Sequence, residues 1–141
     1  MLAPITLDYD LRCRPDRAFA TYVDRIGDWW DGKYTRDPST LVTVRIEPHV
    51  NGRVYAQHQD GEDEWGRVTV YEPGVRLVYT SVLAQPPEDP SEIAVTFDRA
   101  GPDGCALRFE HGGWHAGNAV HRAKFGDWRV LLDRFAALAN A

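Results

Sequence analysis

The chain has 141 residues, of which 43% are hydrophobic and 26% charged, proportions of a globular protein that exclude wholesale disorder. A formal charge of −5 with no basic stripe argues against nucleic acid, whose affinity comes largely from phosphate neutralisation. Apolar runs of a few residues fall far short of the ~20 that cross a bilayer, so no membrane partner is expected.

Residues 5–13 alternate apolar and polar side chains, the pattern of a strand with one wet face and one buried face. Asp8 and Asp10 stand where a secretory signal would need an unbroken apolar stretch. Pro15 and Asp16 suit the first turn of a helix, along which Phe19, Tyr22, Val23 and Ile26 recur at helical spacing. Gly27 predicts its C-terminal stop. The stretch from Asp28 to Thr40 reads as a loop with room for one helical turn.

From Leu41 to Gly112 the pattern is all strand. Val42, Val44 and Ile46 alternate with Thr43 and Arg45. Asn51-Gly52 then predicts a hairpin turn with both residues at positive φ. Further strands are expected at 52–59, 64–71, 75–83, 92–98 and 105–111, separated by Asp60-Gly61, Glu72-Pro73-Gly74, the segment 86–90 and the segment 101–104. Such short connections make sequential strands antiparallel neighbours. His121, Phe125, Trp128, Leu132, Phe135 and Ala139 then form one helical stripe. It predicts a helix over 118–138, about 30 Å long at 1.5 Å per residue.

Strand, helix, strands and long helix make an α+β fold, a curved antiparallel sheet of six to seven strands with both helices on its concave face. One domain over 1–141 is expected, since no linker or repeat divides the chain. A helix laid on a curled sheet leaves space that is either plugged by large side chains or open as a pocket.

Several segments together resemble a known family. They are Pro48-x-Val50-Asn51-Gly52-Arg53, Trp65-Gly66-x-Val68, Glu72-Pro73 and Arg76-Leu77-Val78-Tyr79-Thr80, followed by Glu110-His111-x-Gly113-Trp114, Gly126-Asp127-Trp128 and Leu131-Leu132-Asp133. In this order they resemble the START-like, or SRPBCC, superfamily of helix-grip proteins, in the branch of the activator of the heat-shock protein 90 ATPase. The likeness runs from about Ile5 to Leu138. It implies a helix-grip fold and a cavity between sheet and last helix. Members include binders of lipids, sterols and polyketides, aromatase/cyclases, and a co-chaperone domain. The co-chaperone works with a further N-terminal domain, for which 141 residues leave no room. Chaperone interaction in a stress response therefore ranks below ligand binding.

The aromatic residues are the first candidates for a pocket, because ligand pockets are mostly apolar with a few polar groups. Trp29, Trp30 and Tyr34 are expected near the cavity mouth, with Tyr55, Trp65, Tyr79, Phe97, Phe109, Trp114, Phe125 and Trp128 lining it. Plain core packing explains the same residues. Parity along the strands points Tyr79 and His111 inward with Leu77 and Phe109. They are the candidates for hydrogen bonding a ligand or moving a proton, against the alternative of a satisfied core His and Tyr. No catalytic residue is assigned. His111, His115 and His121 lack the spacing of a metal site, and no motif calls for a cofactor.

Cys13 and Cys105 imply no disulfide framework, which fits a cytoplasmic protein. They should lie near one another, because the first and last strands pair in this arrangement. The expected function is binding of a small, apolar or aromatic molecule. A cyclase- or hydrolase-type enzyme and a chaperone-interacting module are the alternatives, and a homodimer is compatible with each.

Overall fold

A computed structural model describes residues 2–141. In chain order the elements are β1 (Ile5–Leu11), α1 (Pro15–Asp24), α2 (Ile26–Trp29), β2 (Leu41–Ile46), β3 (Arg53–His58), β4 (Gly61–Glu72), β5 (Arg76–Ser81), β6 (Ser91–Ala100), β7 (Gly104–Gly112), α3 (Ala119–Arg122) and α4 (Trp128–Ala139). Two 3-10 turns, Gly32–Tyr34 and Ala123–Phe125, complete them.

All neighbouring strands are antiparallel, and the sheet order is β1-β7-β6-β5-β4-β3-β2. The first strand thus pairs with the last, as expected. Register shifts between Leu41 and Thr43, Val54 and Tyr55, and Val68 and Val70 mark bulges that help the sheet curl. The result is α+β in the helix-grip arrangement. Inward residues of the sheet and of α1, α2 and α4 share one apolar cluster. No described helix is long and apolar enough to cross a membrane.

The structure corrects four of these expectations. β1 ends at Leu11, so Cys13 lies just beyond it. Gly27 does not stop the first helix. It sits inside α2, where a Cβ would meet Thr43 Oγ1 and the Val44 carbonyl of β2, so glycine permits a close helix–strand approach. At the 51–52 turn only Asn51 takes positive φ, at 68°. Gly52 is needed for space, since a Cβ would lie 2.4 Å from the Glu47 carbonyl.

The fourth correction matters most for function. The predicted helix over 118–138 is broken into α3, a 3-10 turn and α4, with Gly126 and Asp127 before the last helix. Glycine costs about 1 kcal/mol in a helix interior, which weakens the helix at this point. The apolar stripe survives the break because Phe125 and Trp128 still stack, with ring planes 17° apart.

Candidate functional site

The broken segment and the loop after α2 face each other across a cleft of about 530 Å³. Trp30, Trp65, Phe125, Trp128 and Leu131 form its apolar walls, and Val82, Leu83 and Ala84 close one side. Lys33, Tyr34, Thr35, Arg36, Asp63, Lys124 and Asp127 supply the polar lining.

The walls are held from behind. Trp30 packs against Trp65 at 5.0 Å and against Trp128 at 5.8 Å between ring centroids. Trp128 rests on Phe109 at 4.6 Å. Arg134 of α4 donates its Nε to the Trp29 carbonyl at 2.8 Å, tying α4 to α2. Across the mouth, the Tyr34 hydroxyl donates to Asp127 Oδ2 at 2.8 Å. That bond raises the Tyr34 pKa, because the carboxylate favours the protonated phenol. Arg36 is clamped by Asp60 and Asp63, which ties the acidic hairpin tip to the cleft wall.

Behind the indoles lies a second void of only about 10 Å³, lined in part by Tyr79, Ser81 and Ile93. Trp30, Trp65, Leu83 and Trp128 line both spaces and so form the partition between them. The space under the helix is therefore filled at depth and open at the mouth. The indole N–H of Trp30 is buried and has no acceptor. An unsatisfied buried donor costs about 1–3 kcal/mol.

Of the twelve aromatic and histidine candidates, Trp30, Tyr34, Trp65, Phe125 and Trp128 line the cleft. The other seven do not. Trp29 is 1% exposed, and its Nε1 donates to the carbonyls of Thr21 and Tyr22. Phe97 packs on Phe19 and Tyr22, deep in the core. Phe109 lies beneath Trp128. Trp114 is buried against His111 and donates to its carbonyl. Tyr55 occupies the other face of β3 from Val54 and Ala56, with the Arg53 guanidinium 4.1 Å from its ring.

Tyr79 and His111 point inward as parity predicts, but both are satisfied within the core. The Tyr79 and Tyr22 hydroxyls lie 2.7 Å apart, and burial raises both pKa values. His111 is fully buried, and burial, with the Arg122 charge second, lowers its pKa to about 3. It stays neutral at physiological pH, and Trp128 stands between it and the cleft. Neither residue can exchange a proton with a molecule in the cleft. No cluster of metal-ligating side chains occurs among the described residues.

The sequence reading missed the polar lining. Both lysines of the chain precede an aromatic, in Lys33-Tyr34 and Lys124-Phe125, and both dipeptides line the cleft. That adjacency was a usable signal.

Among curated proteins none matches the sequence significantly. The structure is similar to that of the anthrahydroquino-γ-pyrone synthase Txn09, with 25% identity, 96% of each chain covered and a TM-score of 0.62. It is also similar to the self-sacrificing resistance protein CalC from Micromonospora echinospora, at 19% identity, 97% and 94% coverage and a TM-score of 0.69. The Aha1 dimer from Colwellia psychrerythraea matches at 18% identity, with 99% and 97% coverage and a TM-score of 0.68. Residues 12–140 match the family described as activator of Hsp90 ATPase homolog 1-like protein, and the chain belongs to that family.

Proposed function

We propose that this protein binds a small, flat, aromatic molecule in the cleft bounded by Trp30, Trp65, Phe125 and Trp128. The observation that carries this reading is the cleft itself. Its volume of about 530 Å³ falls within the usual range for small-molecule pockets, and three indoles and a phenyl ring stand in its apolar walls. The name of Txn09, a 25%-identical relative, denotes a fused-ring aromatic product, which agrees with walls of this kind. An open mouth favours a small ligand over a module that only docks on other proteins.

The neutral fluorophore N-phenyl-1-naphthylamine tests the reading. It should bind near 1:1 and quench tryptophan emission. Trp30→Phe should alter that response. Trp29→Phe should leave the probe's affinity unchanged, because Trp29 lies outside the cleft. Native protein that takes up no such probe would remove the basis of the proposal.

A second reading, cyclase-type catalysis in the same cleft, is favoured by the Tyr34–Asp127 hydrogen bond at the mouth. In that case Tyr34 and Asp127 would supply the acid and base, because His111 and Tyr79 are sealed away. Conversion of an aromatic polyketide that stops in Tyr34→Phe would support it. Recovery of the same compound unchanged would leave binding alone.

A further inference from the structure

Of the 16 Lys and Arg residues in the chain, only Lys33 and Lys124 are lysines. Both line the cleft. They reach it from different elements, Lys33 from the 3-10 turn Gly32–Tyr34 and Lys124 from the 3-10 turn Ala123–Phe125. Among the described residues neither forms an ion pair with a carboxylate.

Their present partners leave the charge in place. Lys33 Nζ lies 5.2 Å from the Tyr34 ring centroid. Lys124 Nζ donates to the Ala84 carbonyl at 2.7 Å and to His121 Nδ1 at 2.9 Å. A carbonyl and an imidazole orient an ammonium without neutralising it, and its third N–H is left over. The other charges of the lining are already engaged. Arg36 is paired with Asp60 and Asp63, and Asp127 accepts from the Tyr34 hydroxyl, which keeps its carboxylate at the mouth on the Tyr34 side. In a protein of net charge −5, the lining carries Lys33, Arg36 and Lys124 against Asp63 and Asp127, and the two lysines are the cations with no carboxylate paired to them, beside an aromatic floor.

We infer that the cleft selects aromatic molecules bearing an anionic oxygen. The rings lie against Trp30, Trp65 and Trp128, and the anion is held by Lys33 and Lys124. This inference deepens the aromatic-ligand reading and rests on it. An apolar floor alone would not distinguish a charged ligand from a neutral one of the same shape. The lysines supply that distinction, and being partly exposed they do so in a salt-dependent way.

Anthracene-2-carboxylate and anthracene-2-carboxamide separate the two ideas, because they share ring and shape and differ in charge. Affinities come from quenching of tryptophan emission at low ionic strength. The carboxylate should bind roughly five- to tenfold more tightly, the gain of two rim ion pairs, and added salt should erode the difference. In the double variant Lys33→Gln, Lys124→Gln the ratio should fall to about one with carboxamide binding retained. Lys33→Gln alone should give an intermediate ratio. Arg129→Gln should keep the preference, because Arg129 lies over Tyr9 outside the cleft and changes only the net charge. Equal affinity for the two probes in the parent protein would overturn the anion inference while leaving the aromatic reading standing. So would a preference that survives in the double variant. If neither probe binds, both ideas fall together.

Discussion

Trp128 Nε1 donates to His111 Nδ1 at 3.0 Å, so one indole serves both the cleft wall and the deepest polar group of the core. An indole nitrogen is only a donor, so Nδ1 must be the acceptor and Nε2 must carry the imidazole proton. That N–H donates to Ser91 Oγ at 2.7 Å, and Ser91 donates onward to Gln85 Oε1 at 2.8 Å. Protonating Nδ1 would set two N–H groups against each other. The arrangement thus holds His111 neutral and identifies it as a structural residue.

Stability against acid follows from this. The folded-state pKa of His111 is lowered to about 3 from an ordinary value of 6.5. The unfolded chain therefore takes up this proton first as pH falls, and the folded state loses ground. The contribution is complete above about pH 6.5 and is lost on the way down to about 3. At pH 4 the loss amounts to about 3 kcal/mol. Urea denaturation of the parent and of His111→Gln at pH 7 and pH 4 checks it. The variant should start less stable and then fall less between the two pH values, whereas equal slopes would refute the assignment.

Trp128→Ala should cost roughly 3–5 kcal/mol, the usual range for truncating a buried Trp. The indole is 4% exposed and touches Trp30, Phe109 and Phe125. Its loss would also leave His111 Nδ1 without a donor. Trp128→Phe keeps an aromatic ring while removing the N–H and part of the indole's bulk, so it should cost less than the alanine variant. A loss below about 1 kcal/mol for the alanine variant, read from urea midpoints, would mean that the stripe is not part of the core.

The sheet was legible because alternation and turn residues act locally, and parity alone turned Tyr79 and His111 inward. Parity also held the answer for Tyr55, which shares the outer face of β3 with Arg53 and Gln57. The break before α4 was hidden because the apolar stripe runs on through it. A 3-10 turn moves side chains only slightly out of phase with an α-helix, so Phe125 and Trp128 keep their common side. The cleft lining depends on where two turns, distant in sequence, meet in space. Periodicity does not carry that information, so it does not place Lys33, Lys124 and Asp127 in the cleft. Trp29 and Trp30 are neighbours with equal claims in sequence, yet the α2 turn buries one and gives the other to the cleft.

The two cysteines should resist modification in the native protein. Cys105 pairs with Leu11 across β1 and β7, and Cys13 follows two residues later, near enough to act on the Cys105 thiol. Burial raises both thiols, Cys105 to about 11, so little thiolate exists at pH 8. Ellman's reagent should react slowly with folded protein and find two free thiols in denaturant, as both cysteines are unbridged. A fast-reacting thiol in the native state would contradict this burial.

Gly66 provides a local test of the wall around Trp65. A Cβ there would sit 1.8 Å from the Thr80 carbonyl oxygen and 2.8 Å from its carbon, both backbone atoms of β5. No side-chain rotation relieves such a contact, so β4 and β5 must move apart. Two bonds flank the site, from Val82 N–H to the Trp65 carbonyl at 2.6 Å and from Arg67 N–H to Thr80 Oγ1 at 3.1 Å. Displacement at Gly66 should strain both and shift Trp65 in the cleft wall. Gly66→Ala should therefore cost about 1–3 kcal/mol, the usual range for overpacking, and weaken aromatic probe binding. Gly126→Ala is the matched control. Gly126 already has right-handed helical backbone angles, and a Cβ there meets nothing within 4 Å. That substitution should leave stability unchanged or raise it by about 0.4–1 kcal/mol by restricting the unfolded chain. Thermal and urea unfolding of the two variants beside the parent decide it. A Gly66→Ala protein as stable as Gly126→Ala, with the same probe affinity, would show that the strands tolerate a wider spacing beside Trp65 than the close approach of Gly66 to Thr80 implies.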